Sequence, residues 1–487
     1  MMFLSKVYFR QENSNMRKRL FHKLRGENLR KKDYIILVCI FVISLVQLPL
    51  VLKVSPSVVR SDGVGYYAYL RSFFFDHDLD FRNEYSYFTS VLPQDSQSQA
   101  SAFLDGSTTK TGHVPNIWPI GPAILWTPFF LAGHIFARLL SSLGQDVPLD
   151  GYSLPYQLAV ALGSAIYAFA GLALVYQICR QYFRERSSLL ALLFIWFGTS
   201  LTAYMYFMPS MSHACAFLCV SLFFYLWHRT RYARPLKAWL VLGVAAGLMA
   251  LQRLQDSFFV AVIAIELLLW VVAWVRKHEW KRILALGIPL LVFMAGAGLT
   301  FLPQMVVWRI IYGEFLPNVQ KETMGYTFDW AHPRTIQVLF SSYHGLISWT
   351  PIIAFGLVGL YFLSRKDGIL AIVLTGTFLL QLYVVSSWQI WFQGASFGGR
   401  MFISCTIVFV LGLAALLEWL SDSVSIRWLA LVGSFFVIWN YLLLFQYGTG
   451  MIPREGSISW FQVIRNLTKI PAMIVQMIFL GDNFPLE

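Results

Sequence analysis

The stretch RSDGVGYYAYLRSFFFDHDLDFRNE (Arg60–Glu84) directly follows the first segment of the chain that is long enough to span a membrane. Acidic side chains crowd into this stretch between aromatic ones, although the chain is poor in acidic residues elsewhere. They are Asp62, Asp76, Asp78, Asp80 and Glu84, among Tyr66, Tyr67, Tyr69 and Phe73–Phe75. We therefore predict that the functional carboxylates lie here and that the rest of the chain is organised around them.

The composition of the 487-residue chain places this stretch in a membrane protein. Hydrophobic residues make up 57% and charged residues 13%, and the mean hydropathy is +0.59. Soluble domains carry about 25% charged residues. The five cysteines all sit inside apolar runs without metal-ligand spacing or a pairing pattern, which predicts neither a zinc site nor a disulfide framework.

Apolar runs near 20 residues mark the predicted spans, because about 30 Å of hydrocarbon needs that many residues in a helix. We predict an all-α, polytopic integral membrane protein with about 11–12 transmembrane helices. The predicted spans are 34–52, 155–179, 188–206, 211–228, 237–252, 256–275, 283–305, 346–363, 369–387, 401–420 and 427–446, with 460–480 either spanning or lying in the interface. No internal repeat is evident, which weakens a transporter built from inverted halves.

Positive charge is concentrated in an N-terminal arm and in short connections between the spans. The formal net charge is +13, and this placement follows the positive-inside rule rather than a nucleic-acid-binding surface. We predict a basic cytoplasmic arm at 1–33, a retained signal anchor, and one transmembrane domain at 34–487 with the N-terminus inside.

Whether the apolar run 118–143 crosses the membrane decides on which side all later connections lie. A crossing there would place the later basic connections outside, so we assign the run to an interfacial or re-entrant helix within one outer loop, 53–153. An ordinary span is the alternative. Further outer loops are predicted at 306–345 and 388–400.

Five short motifs carry a resemblance to a known superfamily. They are SDGVGYYAYL at 61–70, DHDLDF at 76–81, HVPNIWPIGPA at 113–123, SSYHGLISWTP at 341–351 and WFQGASFGGRMF at 391–402. Together with the long first outer loop, they resemble bacterial membrane glycosyltransferases of the GT-C superfamily, which include aminoarabinose transferases and protein O-mannosyltransferases.

The resemblance implies an enzyme of the bacterial inner membrane that takes a sugar from a polyprenyl-phosphate-linked donor. An acceptor hydroxyl of a lipid, glycan or protein would be glycosylated at the outer face, with inversion. It also implies that Asp62 is the acceptor base or orients the acceptor. A carboxylate beside aromatic residues at a membrane surface is partly desolvated, which fits a base. The competing interpretation is that Asp62 caps the helix that begins near Gly65.

The remaining candidate residues would bind the substrate or a metal ion. Arg400, after Gly398 and Gly399, could donate two hydrogen bonds to a phosphate or sugar, or it could be an interfacial anchor. Asp76 and Asp78 could bind a divalent cation that neutralises the departing phosphate, or form a solvated turn. The further substrate-binding candidates are Tyr66, Tyr67, Lys110, His113, Arg253 and His344, each of which could also have a purely structural role.

Lys110 and His113 are candidates for binding the lipid phosphate in place of a lysine that this chain lacks. Related enzymes carry a lysine just before the proline of their motif, and here Asn116, Ile117 and Trp118 hold that place.

Other function classes receive less support. The chain has no Walker A sequence, dinucleotide fingerprint or HExxH motif, so cytoplasmic nucleotide chemistry has no visible site. A lipid-linked polysaccharide polymerase or ligase is the alternative enzyme. A transporter or flippase of lipid-linked sugars is the alternative from another class, and the scarcity of mid-span charges argues against it.

Overall fold

The computed structural model describes residues 31–53, 55–93, 100–106 and 108–479. These residues form α-helices and no strand, apart from one isolated antiparallel bridge between Phe328 and Trp388. Most of the predicted basic arm, residues 1–30, lies outside the described residues.

The first half of the chain contains short helices in the predicted outer loop 53–153, here called the outer group, and longer helices after it. Its α-helices are α1 (Lys31–Ser44), α2 (Gly63–Arg71), α3 (Arg82–Val91), α4 (Ala100–Leu104), α5 (Gly121–Ser142), α6 (Leu154–Cys179), α7 (Glu185–Phe197), α8 (Ser200–Thr202), α9 (His213–Thr230) and α10 (Leu236–Gln252). A 3₁₀-helix, Leu45–Lys53, continues α1, and π-helical turns follow α2 and α8 at Ser72–Asp76 and Ala203–Phe207.

The second half alternates long helices with short connecting ones. Its α-helices are α11 (Ala261–Arg276), α12 (Trp280–Leu284), α13 (Gly287–Tyr312), α14 (Val319–Met324), α15 (Thr335–Phe340), α16 (Leu346–Trp349), α17 (Ile352–Ser364), α18 (Gly368–Ser387), α19 (Thr406–Leu420), α20 (Ile426–Gly448), α21 (Trp460–Asn466) and α22 (Ile470–Phe479). The 3₁₀-helices Leu254–Val260 and Arg400–Cys405 lead into α11 and α19, and Leu467–Lys469 links the last two helices.

The predicted class, an all-α polytopic membrane protein, is confirmed. Among the described residues, eight helical segments are long and apolar enough to cross a membrane, or nine if the bent α7–α8 pair forms one span. Three predicted crossings are missing from this set because they are short or less apolar, and the set includes Gly121–Ser142, which the positive-inside rule assigned to an interfacial or re-entrant helix. Leu236–Gln252 and Ile352–Ser364 have 17 and 13 residues, and His213–Thr230 is not among the eight.

The direction of α6 is fixed by its contacts with α1. Near the start of α6, the Gln157 side-chain oxygen accepts a hydrogen bond from the Val58 N–H at 2.9 Å. At the other end, Arg180 lies 3.5 Å from Asp33 at the start of α1. The two helices are therefore antiparallel, and they define an end of the molecule with Val58 and an opposite end with Asp33.

Helix α5 runs antiparallel to α6 and leads back to the end that holds Val58. The Tyr167 hydroxyl donates to the Leu125 carbonyl at 2.6 Å, and His134 Nδ1 lies 2.6 Å from the Tyr156 hydroxyl. Before α5, the Asn116 amide bonds the Gly65 carbonyl at 3.0 Å. The chain before α5 thus lies beside α2, and the assignment of α5 to an interfacial or re-entrant helix stays a prediction. Length and composition alone also allow a span.

Helix α2 is buried on every side and lies against the loop before α5. A side chain in place of Gly65 would put its Cβ 1.9 Å from the Trp118 ring, so only glycine allows this approach. Around it, a second core, half of it aromatic, joins residues of the outer group to residues of α5, α6, α9 and α13 and is separate from the larger core. This packing fixes the start of α2, where Asp62 lies.

Candidate functional site

Asp62 and Arg400 form an ion pair although 338 positions separate them in the chain. Arg400 Nη1 donates to Asp62 Oδ2 at 2.9 Å, and the Asp62 side chain keeps 26% of its surface exposed while Arg400 is buried. A partly open carboxylate held by a buried guanidinium is an arrangement suited to a reaction at that carboxylate.

The local structure explains why the Asp62 carboxylate is available. Asp62 directly precedes α2, but its backbone is already helical and its side chain makes no cap hydrogen bond. The competing capping interpretation therefore does not account for this side chain.

A folded loop brings Arg400 to the pair. Gly398 has a φ of +59°, a conformation that favours glycine, and a Cβ there would lie 2.6 Å from Ser200 Oγ. The Met401 N–H donates to Gln393 Oε1 at 2.8 Å, and the Phe397 N–H donates to the Tyr204 hydroxyl at 3.0 Å. Tyr204 lies after the 61° bend between α7 and α8, so a broken helix supports the loop.

His344 is buried beneath the same loop. Its Nδ1 lies 2.9 Å from the Phe392 carbonyl, and the Tyr343 and Phe392 rings stack with centroids 4.8 Å apart. Burial and, to a smaller extent, the Arg400 charge together lower the pKa of His344 to about 4. The two motifs at 341–351 and 391–402 thus pack together, and His344 supports the loop rather than reaching Asp62 by a direct contact.

Arg253 joins the other side of the cluster. Its Nη1 donates to His213 Nδ1 at 2.8 Å, and its Nη2 to the Met401 sulfur. The His213 ring lies 4.5 Å from the Tyr204 ring. Arg253 is therefore linked to Arg400 through neighbouring side chains, and its contact with substrate stays a prediction.

A groove of about 1020 Å³ begins at Ser61, the neighbour of Asp62. Its walls are largely apolar and come from the end of the first span, the turn after α8, α20 and α22. Three basic residues, Lys53, Arg60 and Arg454, also line it. An apolar groove with cations beside a carboxylate fits a long lipid whose head is an anion.

Tyr66 and Tyr67 occupy the core beside Asp62. The Tyr66 hydroxyl accepts a hydrogen bond from Ser212 Oγ at 3.0 Å, and burial raises its pKa. The Tyr67 hydroxyl donates to the Gly151 carbonyl at 2.6 Å. Both rings are buried, so the structure shows a packing role for each, and their contact with substrate stays a prediction.

Lys110 and His113 are not joined to this cluster by the contacts they make. Lys110 Nζ lies 2.8 Å from Glu314 Oε1, with 74% of the lysine side chain exposed. His113 Nδ1 lies 2.9 Å from Thr111 Oγ1. Their predicted contact with the lipid phosphate stays a prediction.

Asp76 and Asp78 are engaged in the turn that ends the π-helix after α2. Asp76 forms an ion pair with Arg71, which also bonds the buried Glu84 at 3.0 Å. Asp78 Oδ1 accepts from Ser72 Oγ at 2.7 Å. Across the part of the chain that the structure describes, no three His, Cys, Asp or Glu side chains are grouped to hold a metal ion. These residues fit a metal site poorly, and no step below is derived through one.

The basic residues of the groove were missed by sequence reasoning. Lys53, Arg60 and Arg454 follow spans on the predicted outer side, where the positive-inside rule makes basic residues unexpected. The same signal singled out Arg400, and it could have identified all three. Tyr204 carried no such signal, because it stands in an apolar run.

The segment that follows the outer group resembles a known protein family. Residues 156–303 match the model of the dolichyl-phosphate-mannose-protein mannosyltransferase family, which is of the GT-C type. The resemblance to GT-C glycosyltransferases is confirmed.

The match supports a membrane glycosyltransferase of the GT-C type. It covers α6 to the middle of α13 and includes His213 and Arg253, while Asp62 and Arg400 lie on either side of the matched segment. A search of curated proteins found no match.

Proposed function

We propose that this GT-C glycosyltransferase moves a sugar from a polyprenyl-phosphate-linked donor to an acceptor hydroxyl, with inversion, at the outer face of a bacterial inner membrane. The observation that carries the proposal is the Asp62–Arg400 ion pair, because Ser61, the residue before Asp62, lines the apolar groove. The N-terminus lies on the cytoplasmic side in this proposal, and the acceptor is a lipid, a glycan or a protein.

The groove supports the choice of donor. A polyprenyl chain needs an extended apolar surface, which the walls of the groove supply. The phosphate needs cations, and Lys53, Arg60 and Arg454 line the same groove. No cytoplasmic nucleotide-binding motif competes with a donor that arrives through the membrane.

The reaction at the pair is a single displacement. The acceptor oxygen attacks the anomeric carbon and forms the new glycosidic bond as the bond from that carbon to the phosphate oxygen breaks. The leaving phosphate oxygen takes the electron pair of the broken bond, and the proton of the acceptor hydroxyl goes to the Asp62 carboxylate. A single backside displacement inverts the anomeric configuration.

Arg400 has two tasks in this proposal. Its Nη1 orients the carboxylate of Asp62, and its charge stabilises the phosphate as negative charge develops there. Its Nε is buried and has no hydrogen-bond partner in the protein, so one N–H remains for an oxygen of the substrate. A divalent ion at Asp76 and Asp78 stays a prediction, and the displacement does not depend on it.

The test uses the purified full-length protein with a panel of polyprenyl-phosphate sugars and follows loss of donor. D62N should lower turnover by about 10²–10⁴-fold, the usual contribution of a general base. D146N, in the same predicted outer loop, is the matched control and should stay within about threefold, because the Asp146 side chain is exposed and belongs neither to the ion pair nor to the candidate metal residues.

Unchanged turnover in D62N would remove Asp62 from the mechanism. Movement of intact donor across vesicles, with no consumption by the wild type, would favour the transporter alternative instead.

A further inference from the structure

A second cavity lies at the opposite end of the protein from Asp62. It has a volume of about 420 Å³, and its lining includes Arg231, Arg234 and Arg282. Helix α9 begins at His213 in the candidate site and ends at Thr230, just before Arg231. Its 18 residues span about 27 Å, so the two cavities are separated by roughly the thickness of the hydrocarbon core.

Two arginines of this cavity are buried in ion pairs. Arg231 pairs with Asp367, and Tyr182 donates its hydroxyl to the same Asp367 oxygen at 2.9 Å. Arg234 Nη1 pairs with Glu266 Oε2 at 2.9 Å. These contacts hold the guanidinium groups in place within the helix bundle.

The ion pairs leave part of each guanidinium group without a hydrogen bond. Nε and Nη1 of Arg231 and Nη2 of Arg234 are buried, and none of the three has a partner in the protein. A buried N–H without an acceptor is costly, and most such groups bind a protein atom, water or a ligand. These three N–H-bearing atoms belong to side chains that line one cavity.

The donors and the walls of the cavity indicate what would satisfy those groups. Three arginines and one carboxylate, Glu266, line it. Arg231 pairs with Asp367, Arg234 with Glu266, and Arg282 with Glu279 at 3.2 Å, so the cavity is rich in guanidinium donors rather than in net positive charge. The rings of Trp239, Trp270 and Trp274 form much of the remaining wall. Indole rings favour the membrane–water interface, and basic pockets between transmembrane helices bind anionic lipid head groups.

We propose that this cavity binds a phosphate group, with its oxygens accepting hydrogen bonds from Arg231, Arg234 and Arg282. Arginine donates to phosphate in a fixed fork, and the phosphate supplies the acceptors that the three buried N–H-bearing atoms lack. The source is either the head group of an anionic phospholipid or a soluble phosphate. The site is separate from Asp62, so its occupancy does not depend on the proposed transfer reaction.

Native mass spectrometry of the full-length protein in detergent can count the bound ligand. The probes are dioctanoyl phosphatidylglycerol, dioctanoyl phosphatidylcholine and inorganic phosphate, each titrated separately. Preference for phosphatidylglycerol by about tenfold or more supports a lipid head group. Binding of inorganic phosphate, with no preference for phosphatidylglycerol over phosphatidylcholine, supports the same site with a soluble ligand.

Two variants assign the binding to this cavity. R282Q removes a charge that is 62% exposed, so the fold should tolerate it, and we expect it to weaken binding severalfold. R234Q/E266Q removes both members of a buried pair without leaving one charge alone, and it should weaken binding by about tenfold. R229Q is the matched control, because Arg229 is exposed and held by the Tyr225 hydroxyl at 2.8 Å, and it should bind as the wild type does.

Equal binding by R282Q, R229Q and the wild type would overturn the proposal. So would a wild-type protein that binds neither inorganic phosphate nor phosphatidylglycerol more tightly than phosphatidylcholine.

Discussion

Each end of this protein holds an arginine–aspartate pair that joins distant parts of the chain, but the two pairs differ in their access to solvent. At one end, Arg400 meets an Asp62 side chain that is 26% exposed, and the preceding residue, Ser61, lines a groove of about 1020 Å³. At the other end, Arg231 and Asp367 are each 2% exposed. The same pair of residue types therefore occupies an open and a sealed environment.

Because of this difference, the exposed pair is suited to a reaction, whereas the buried pair contributes to the stability of the fold. A sealed pair cannot exchange protons with a substrate, and breaking it leaves one charge uncompensated in the protein. An open pair can meet a substrate, and water compensates for part of its charge when the partner is removed. Four predictions follow from the comparison, in order of decreasing effect.

The largest expected effect comes from D367N at the sealed end. Asparagine keeps the cap at the start of α18, where Asp367 accepts from the Leu370 N–H at 2.9 Å, but it removes the charge that faces Arg231. We expect a loss of about 3–5 kcal/mol in stability, measured as a shift in denaturant unfolding. D62N should lose less, and an equal loss in both variants would contradict the comparison.

R400K tests the open end. Lysine keeps the positive charge but cannot both hold Asp62 and offer a second N–H in the fixed geometry of arginine. Donor turnover should fall by about 100-fold, while the unfolding midpoint moves less than in D367N. Turnover within twofold of the wild type would show that only the charge at this position matters.

The third prediction concerns pH and the loop beneath Arg400. Burial lowers the pKa of His344 to about 4, below the usual value of about 6.5. The unfolded chain therefore binds more protons than the folded one between these values, so this contribution to stability is lost as the pH falls from about 6.5 to 4. H344N should flatten that part of the stability profile in thermal melts. An unchanged slope would show that His344 titrates normally.

The smallest effect is expected for K110Q. In the wild type, Lys110 Nζ lies 2.8 Å from Glu314 Oε1, and both side chains are exposed. Ion pairs at the surface contribute little to stability and are screened by salt. If Lys110 does not reach the donor phosphate, turnover should stay within about twofold. A tenfold loss would restore Lys110 to the site and extend the open end beyond the groove.

The sequence allowed prediction of the open end better than the sealed one. Composition and apolar runs were enough for the all-α membrane class, and Asp62 and Arg400 stood out because an acidic cluster and an outer arginine are unusual. The inner network was missed because Arg231 and Arg234 matched ordinary cytoplasmic anchors under the positive-inside rule. Nothing in a short connection reveals that Asp367 will be buried against Arg231. Glu266 lies inside the predicted span 256–275, where a carboxylate needs a partner, and that signal could have indicated its pair with Arg234.

The number of helices that qualify as spans also differs from the sequence pattern. Apolar runs at 211–228 and 346–363 were predicted to cross, but the corresponding helices are His213–Thr230, with polar residues at both ends, and Ile352–Ser364, with 13 residues. Contacts with partners far along the chain decide such helices. The contacts of Gly65 and Trp118, which place α2 beside the loop before α5, depend on the same long-range packing.

The 338 positions between Asp62 and Arg400 have a consequence for the newly made protein. A ribosome adding about 5–20 residues per second needs on the order of 20–70 s to pass from one to the other. Until then the nascent chain has inserted several helices but has only one half of the pair. A translation product that stops before Arg400 lacks the pair altogether, so under the proposed mechanism an unfinished chain in the membrane would be unable to transfer a sugar.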